Sequence, residues 1–381
     1  MIINNLYDVS LQVGDVDILD NNNASKVNCI IEESVYDKFP MCKVTFLSST
    51  EFMDENPIVD GTKIIITVKS EAFNIKEQWI FRVIKLSAIP SGADMLYSID
   101  GIIDFYEFFR DPTKYSMKNN TSEIFKNIAK VNNVSARIYN SQDNQLWVPS
   151  QCNLYQWLNY ITQHAWASQQ SGYFWCMDRN KSLFYIDIDR LVYESKNIPI
   201  FLYGDTAIDD IDSKVIRYKN LLINADTGSE NLFNRGYDGD VSYFDLLSYS
   251  TKKQKANKVR AVSEIININK ELSAGGLKRD MAQFNVGNHH DNFFIAEAQN
   301  WRILSTFSTY VNLACEFFVP IKLSQVCTIK GASHNSAAES VNSINIKYIV
   351  GKIVTKINSS TVNMDVELCS QGYNGKSLES Y

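Results

Sequence analysis

Several groups of residues in this 381-residue chain have types and spacings that chemistry uses. Gly375-Lys376-Ser377 resembles the end of a phosphate-binding loop, but the glycine required five residues before Gly375 is Ser370. Only four residues follow Ser377, too few for a helix to offer its N-terminus to a phosphate. His289-His290-Asp291 has metal-ligand chemistry, yet adjacent histidines diverge and zinc motifs space their ligands more widely. A polar helix start with Asp291 near the N-terminal dipole is the preferred reading. Asp187 and Asp189 would share one face of a strand, as the paired carboxylates of a glycosidase do. A solvated strand edge explains the same pair and is favoured. Asp238, Asp240 and Asp245 offer oxygen ligands for calcium without the glycine and terminal glutamate of a calcium loop. His164 falls within a helical pattern, to cap it or line its polar side. No G-x-S-x-G elbow is present, and no cysteine stands in a protease context. The expectation is a non-enzymatic chain with no catalytic, cofactor-binding or metal-binding residues and no cofactor.

One dense basic run, Lys252, Lys253, Lys255, Lys258 and Arg260, suits a nucleic-acid channel, an acidic partner or a solvated loop, and the last is preferred. The whole chain is acidic, with 37 Lys+Arg against 43 Asp+Glu and a net charge of -6. That argues against a main task of gripping phosphate backbones. Hydrophobic content of 45% with 21% charged residues is that of a folded protein long enough for two to four domains. The seven cysteines are scattered and odd in number, with no C-x-x-C, which reads as reduced thiols in a chain made in a cytoplasm. The N-terminus lacks the features of a secretion signal, and no apolar run approaches the ~18 residues needed to span a bilayer. No membrane insertion by this chain is expected.

The elements that must position these residues are mostly strands. Two stretches at opposite ends are alike. Lys63–Lys69, Trp79–Leu86 and Met95–Ile99 correspond to Gln325–Lys330, Tyr348–Val354 and Val362–Leu368. Short turns at Pro90-Ser91-Gly92-Ala93 and Asn358-Ser359-Ser360 join the last pair of each. With the alternating segments Val9–Leu19 and Lys26–Leu47, the repeat predicts two related small antiparallel β-barrels. Between them, Asn120-Thr121-Ser122-Glu123 reads as a capping box opening one helix. Asn153 caps a second helix, whose stripe of Trp157, Ile161 and Ala165 is core and whose end is set by Ser171-Gly172. An aromatic hairpin, Tyr173–Met177 and Ser182–Ile186, turns at the polar Asp178-Arg179-Asn180-Lys181. Lys214–Ile223 reads as a lone strand that joins the later unit. Residues 224–292 read as loop-rich, and Asn292–Phe307 as a helix with Phe294, Ala298, Trp301 and Leu304 on its apolar face.

The expected fold class is mainly β with an α+β insert: two related barrels, an α/β domain and a small loop-rich domain. The expected boundaries are 1–108 for the first barrel and 109–202 for the α/β insert. The second, discontinuous barrel takes 203–232 with 310–372, and the small helical, loop-rich domain takes 233–309 with the C-terminal tail.

Leu146-Trp147-Val148-Pro149-Ser150, leading into Leu154–Ala165 and on through Tyr173–Asp189, resembles the baseplate hub proteins of contractile-tailed phages. These are related to the N-terminal half of type VI secretion spike proteins. The Asn292–Phe307 segment and the closing strands with Tyr348-Ile349-Val350 and Val362–Leu368 match as well. The resemblance implies a homotrimer in which two barrels per chain form a pseudo-sixfold ring. That ring would join the tail tube protein to the central spike protein, contact baseplate wedge proteins and let DNA pass through its lumen. It implies a place in the virion, at the tail baseplate, after synthesis and assembly in the host cytoplasm. The chain departs from the family at Leu323-Ser324-Gln325, where a Pro-Gly turn is expected, and carries no lysozyme-like or spike segment. The alternative is a tail-associated glycan-binding protein or cell-wall hydrolase using Asp187 and Asp189 or the 238–245 cluster.

Overall fold

Alternating apolar and polar residues build the first unit. Its strands are β1 (Asp8–Val13), β2 (Val16–Asp17), β3 (Ser25–Ser34), β4 (Met41–Ser48), β5 (Lys63–Ser70), β6 (Ile75–Ser91) and β7 (Asp94–Ile103), with a one-turn helix α1 (Phe52–Glu55) after β4. They pair antiparallel in the order β3-β4-β7-β6-β5-β1-β2. The period of two sends Cys42, Val44 and Phe46 of β4 into the core and leaves Lys43 exposed. Phe46, Phe52 and Tyr97 pack with ring centroids 5.0 to 5.4 Å apart. Each such burial contributes roughly 1.5–3 kcal/mol. The computed structural model describes residues 6–20, 24–72, 74–110, 113–149, 152–168, 171–196, 198–204, 215–225, 240–245, 248–255, 284–285, 289–297, 309–330, 347–358 and 361–370.

The insert carries β8 (Met117–Asn119), α2 (Thr121–Val131), β9 (Ala136–Ile138), β10 (Gln145–Trp147), α3 (Leu154–Gln163), β11 (Tyr173–Met177), β12 (Leu183–Asp187) and α4 (Ile188–Glu194). The aromatic hairpin β11–β12 is extended by β9, which runs parallel to β12. Asn153 caps α3 as expected, within a capping box that Gln156 completes, and Trp157, Ile161 and Ala165 are core. α3 stops at Gln163 with His164 as its C-cap, before the expected Ser171-Gly172. The capping box expected at Asn120 does not form, because Asn120 makes no side-chain cap bond. Instead the fully buried Asp143 accepts from the backbone N–H of Thr121 at 2.8 Å, and Ser141 Oγ accepts from that of Ser122 at 3.0 Å. A carboxylate brought from the loop before β10 thus satisfies the orphan donors of α2.

The second unit holds β13 (Ile200–Tyr203), β14 (Val215–Tyr218) and β15 (Asn220–Ala225). After β16 (Asp240–Asp245), β17 (Ser250–Lys255) and β18 (Phe284–Asn285), it resumes with β19 (Thr309–Cys315), β20 (Val326–Lys330), β21 (Lys347–Asn358) and β22 (Val362–Ser370). The segment expected as one strand at 214–223 is two, β14 and β15, and β15 pairs with β19. β13 runs parallel to both β14 and β20, a departure from the antiparallel expectation. Within the stretch expected to be loop-rich, β16 and β17 form an antiparallel hairpin with β18 beside β16. The helix expected from 292 runs from 293 to 297 among the described residues, and Ala298, Trp301 and Leu304 lie outside them. Among the described residues, no helix is long and apolar enough to cross a membrane.

The repeat is visible at residue level. β5-β6-β7 and β20-β21-β22 are neighbours in the same order, and each middle strand carries one bulge. Ile84 is the extra residue between the Val83↔Gly101 and Lys85↔Asp100 pairs. Gly351 is the extra residue between Val350↔Leu368 and Lys352↔Glu367. The turns entering the bulges also match. Gly61 N–H donates to the Val83 carbonyl, and Val83 N–H donates back to the Thr62 carbonyl. In the same way Ser324 N–H donates to the Val350 carbonyl, and Val350 N–H donates back to that of Gln325. Gly61 and Ser324 both have positive φ, 81° and 60°. Only glycine adopts that conformation without steric cost, and a serine holds it in the second copy.

The two units form one sheet. Beyond its bulge, β21 pairs with β22 on one side and with β3 of the first unit on the other, from Lys352↔Ser34 to Asn358↔Asn28. A continuous ribbon results, in the order β15-β19-β22-β21-β3-β4-β7-β6.

Candidate functional site

The residues that could do chemistry are not brought together as a reaction centre among the described residues. β12 ends at Asp187, and Asp189 lies in the first turn of α4, so the two do not share a strand face. Nor is Asp187 a solvated edge. It is 2% exposed, its carboxylate accepts from Gly172 N–H at 3.1 Å, and burial pushes its pKa up to about 7. Asp240 and Asp245 begin and end β16, whereas Asp238, Lys258, Arg260 and Gly375–Ser377 lie outside the described residues. Lys252, Lys253 and Lys255 fall on β17. No group of three or more metal-ligating side chains is found among the described residues.

Three histidines do meet, around one phenylalanine. His164 stacks on Phe293 with ring centroids 3.9 Å apart, and His289 stacks on the same ring at 4.0 Å. His290 donates its backbone N–H to Gln145 Oε1 at 2.9 Å and places Nε2 2.9 Å from the carbonyl of His164. Burial lowers the pKa of all three, that of His164 to about 4. Neutral imidazoles here pack the 289–297 segment against the C-terminal end of α3. The sequence showed adjacent histidines and a helix start, but nothing local linked them to residue 164.

A buried ion pair sits where three parts of the fold converge. Arg179, in the turn of the β11–β12 hairpin, is 6% exposed and enters the seam between the two repeats. Its Nε lies 2.8 Å from Glu33 Oε2, its backbone N–H donates to Glu33 Oε1 at 2.8 Å, and its Nη1 donates to Thr355 Oγ1 at 2.8 Å. The guanidinium also lies 5.2 Å from the ring centroids of both Trp79 and Phe318. Glu33 belongs to β3 and Thr355 to β21, the strands that join the units, and the hairpin of the insert supplies the third side. Burial pushes the Glu33 carboxyl upward and the Arg179 charge pulls it back. The turn reads as a solvated polar loop in sequence, because no local signal marks one of its four residues as buried.

One face of the ribbon covers the core; among the described residues the other is half-buried to exposed and mixed in charge. Lys43, Lys85, Lys352 and Lys356 stand on it with Glu32, Asp100, Asp365 and Glu367. Lys352 pairs with Glu32, and Lys356 with Asp365. These four cations and four anions cancel, so among the described residues this stretch lacks the excess of cations that drives binding to a phosphate backbone.

No family model matches the chain, and no curated protein matches it. Solved structures do. The tail protein from Neisseria meningitidis MC58 superposes with a TM-score of 0.53 at 11% identity, covering 96% of both chains. The 43 kDa tail protein of prophage MuSo2 from Shewanella oneidensis gives 0.52 at 9% identity, over 95% of this chain and 98% of the other. The chain shares its mainly-β fold with these tail proteins along almost its whole length.

Proposed function

We propose that this chain is the structural hub of a phage contractile-tail baseplate. The observation that carries the reading is the ribbon: two equivalent units, joined edge to edge within one chain, in a fold shared with tail proteins. Three copies would present six similar units, the device by which a trimer meets a sixfold tube on one side and a threefold spike on the other. The charge-balanced open face suits a lumen through which DNA slides without being held. The α/β insert and residues 224–292 would contact the central spike and the baseplate wedge proteins, and the barrels would meet the tail tube protein. The chain would reside in the virion tail after assembly in the host cytoplasm. A hydrolytic role draws no support from Asp187, whose carboxylate is buried and tied to Gly172.

Quantitative mass spectrometry of purified tails tests the reading. Three copies per tail are expected, and six copies or a count matching the sheath would overturn it. Particles carrying Asp187→Asn that assemble normally but no longer degrade cell wall would favour the hydrolase instead.

A further inference from the structure

The internal junction carries information about the external one. Because β3 and β15 hold equivalent places in the two repeats, so do their outer edges. The equivalence follows from the ladders. Gly101 and Leu368 both lie opposite the residue that precedes a bulge. Cys42 faces Gly101 as Val311 faces Leu368, and Ile31 faces Cys42 as Ile223 faces Val311. Ile31 therefore corresponds to Ile223, and Ile30 to Leu222. By the same bulges, Lys352–Asn358 of β21 corresponds to Lys85–Ser91 of β6.

Inside the chain, β3 is paired along Asn28–Ser34 with Lys352–Asn358 of β21. The two counterparts of these edges have no such partner among the described residues. β15 pairs only with β19, and β6 beyond Val83 pairs only with β7. Among the described residues the two edges are the opposite ends of the ribbon and do not pair with each other. They also carry unusual surface. Ile89 on the β6 arm is 59% exposed, Leu222 on β15 is 58% exposed, and Leu96, directly across from Ile89, is 37% exposed. Unpaired strand edges with apolar side chains are templates for another strand.

We propose that β15 of one subunit pairs antiparallel with Lys85–Ser91 of β6 in a second copy of this chain, repeating the β3–β21 junction. Transferring the internal register, in which Lys356 faces Ile30, sets Ile89 opposite Leu222. The register is derived from backbone ladders alone, yet it brings the two most exposed apolar residues of these edges face to face. Ala88 then faces Ile223 and Ser87 faces Asn224. Pro90 faces Leu221, where it accepts a hydrogen bond but donates none, so the donor ladder stops near the hairpin tip. The pairing would turn three separate ribbons into one closed wall with no free edge. It rests on the trimeric reading above.

Cysteine cross-linking of the full chain tests it. Ile89→Cys with Leu222→Cys, both at exposed positions, should form an intersubunit disulfide on mild oxidation and run as a trimer ladder on a non-reducing gel. Opposed residues of an antiparallel pair come within disulfide reach. Lys85→Cys with Leu222→Cys, about four residues out of register or roughly 13 Å along the strand, should not cross-link. Leu222→Lys with Ile89→Lys should abolish the trimer in light scattering, and Leu222→Glu with Ile89→Lys should restore it. A trimer that gives no cross-link between positions 89 and 222 and is indifferent to the lysines would overturn the pairing while leaving the trimer standing. A monomer at every concentration, cross-linked or not, would overturn both.

Discussion

Replacing Arg179 by alanine should be among the most damaging single changes in this chain. The side chain holds three elements at once: Glu33 of β3, Thr355 of β21 and its own β11–β12 hairpin. With the guanidinium gone, Glu33, 2% exposed, keeps a buried carboxylate without its counter-charge. Breaking a buried pair in this way costs about 3–5 kcal/mol, against total stabilities of about 5–15 kcal/mol. Loss of the contact with the Trp79 and Phe318 rings adds to the cost. Urea unfolding of Arg179→Ala, Glu33→Ala and the double variant measures it. The double variant should lose less than the sum of the singles, because removing Glu33 removes the orphaned charge. Hydrogen exchange should show the hairpin amides from 177 to 183 opening first. A cost below about 1 kcal/mol, as for an exposed ion pair, would refute the assignment of Arg179 as the clamp of the junction.

Three further outcomes follow from the same structure. Ser324→Gly should relieve the positive φ and stabilise the chain by about 1 kcal/mol in thermal or urea unfolding, less whatever its hydroxyl contributes beside Cys176. Asp187 has its pKa raised from 3.8 to about 7, so its contribution is fully present below about pH 4 and is lost as pH rises through 7. Asp187→Asn should flatten that part of the pH–stability curve, whose slope approaches about 1.4 kcal/mol per pH unit, and raise stability at pH 8. His164 has the opposite sign: its pKa is lowered from 6.5 to about 4, so its contribution is present above pH 6.5 and is lost as pH falls toward 4. Exchange of amides in 289–297 should accelerate across that window, and unchanged protection at pH 4.5 would contradict the packing described around Phe293.

What could be read from sequence was what repeats or alternates. The paired strand triplets at the two ends, the aromatic hairpin and the Asn153 cap are encoded locally, in periods of two or in a four-residue motif, and the structure has them. The α2 cap is not legible in the sequence because its acceptors, Asp143 and Ser141, come from some twenty residues downstream and no spacing rule links them to Thr121. The role of Arg179 is hidden in the sequence for the same reason. Its partners at 33 and 355 lie in other units, and a polar turn looks alike whether it ends in water or in a seam. Asp187 and Asp189 read as a pair only along a continuous strand; the chain turns into α4 between them. The likeness of Gly61 and Ser324 was hidden by chemistry, since a serine stands in a conformation that favours glycine.

The central claim is that three copies of this chain close into a six-unit ring, and the solution mass of the purified protein, with end-on electron microscopy of the same sample, tests it most directly. Three chains of 43.5 kDa give about 130 kDa. The account predicts that mass and an open ring with six lobes, alone or once the spike protein is added. A persistent monomer with the spike present, or a closed particle without sixfold lobes, would contradict it.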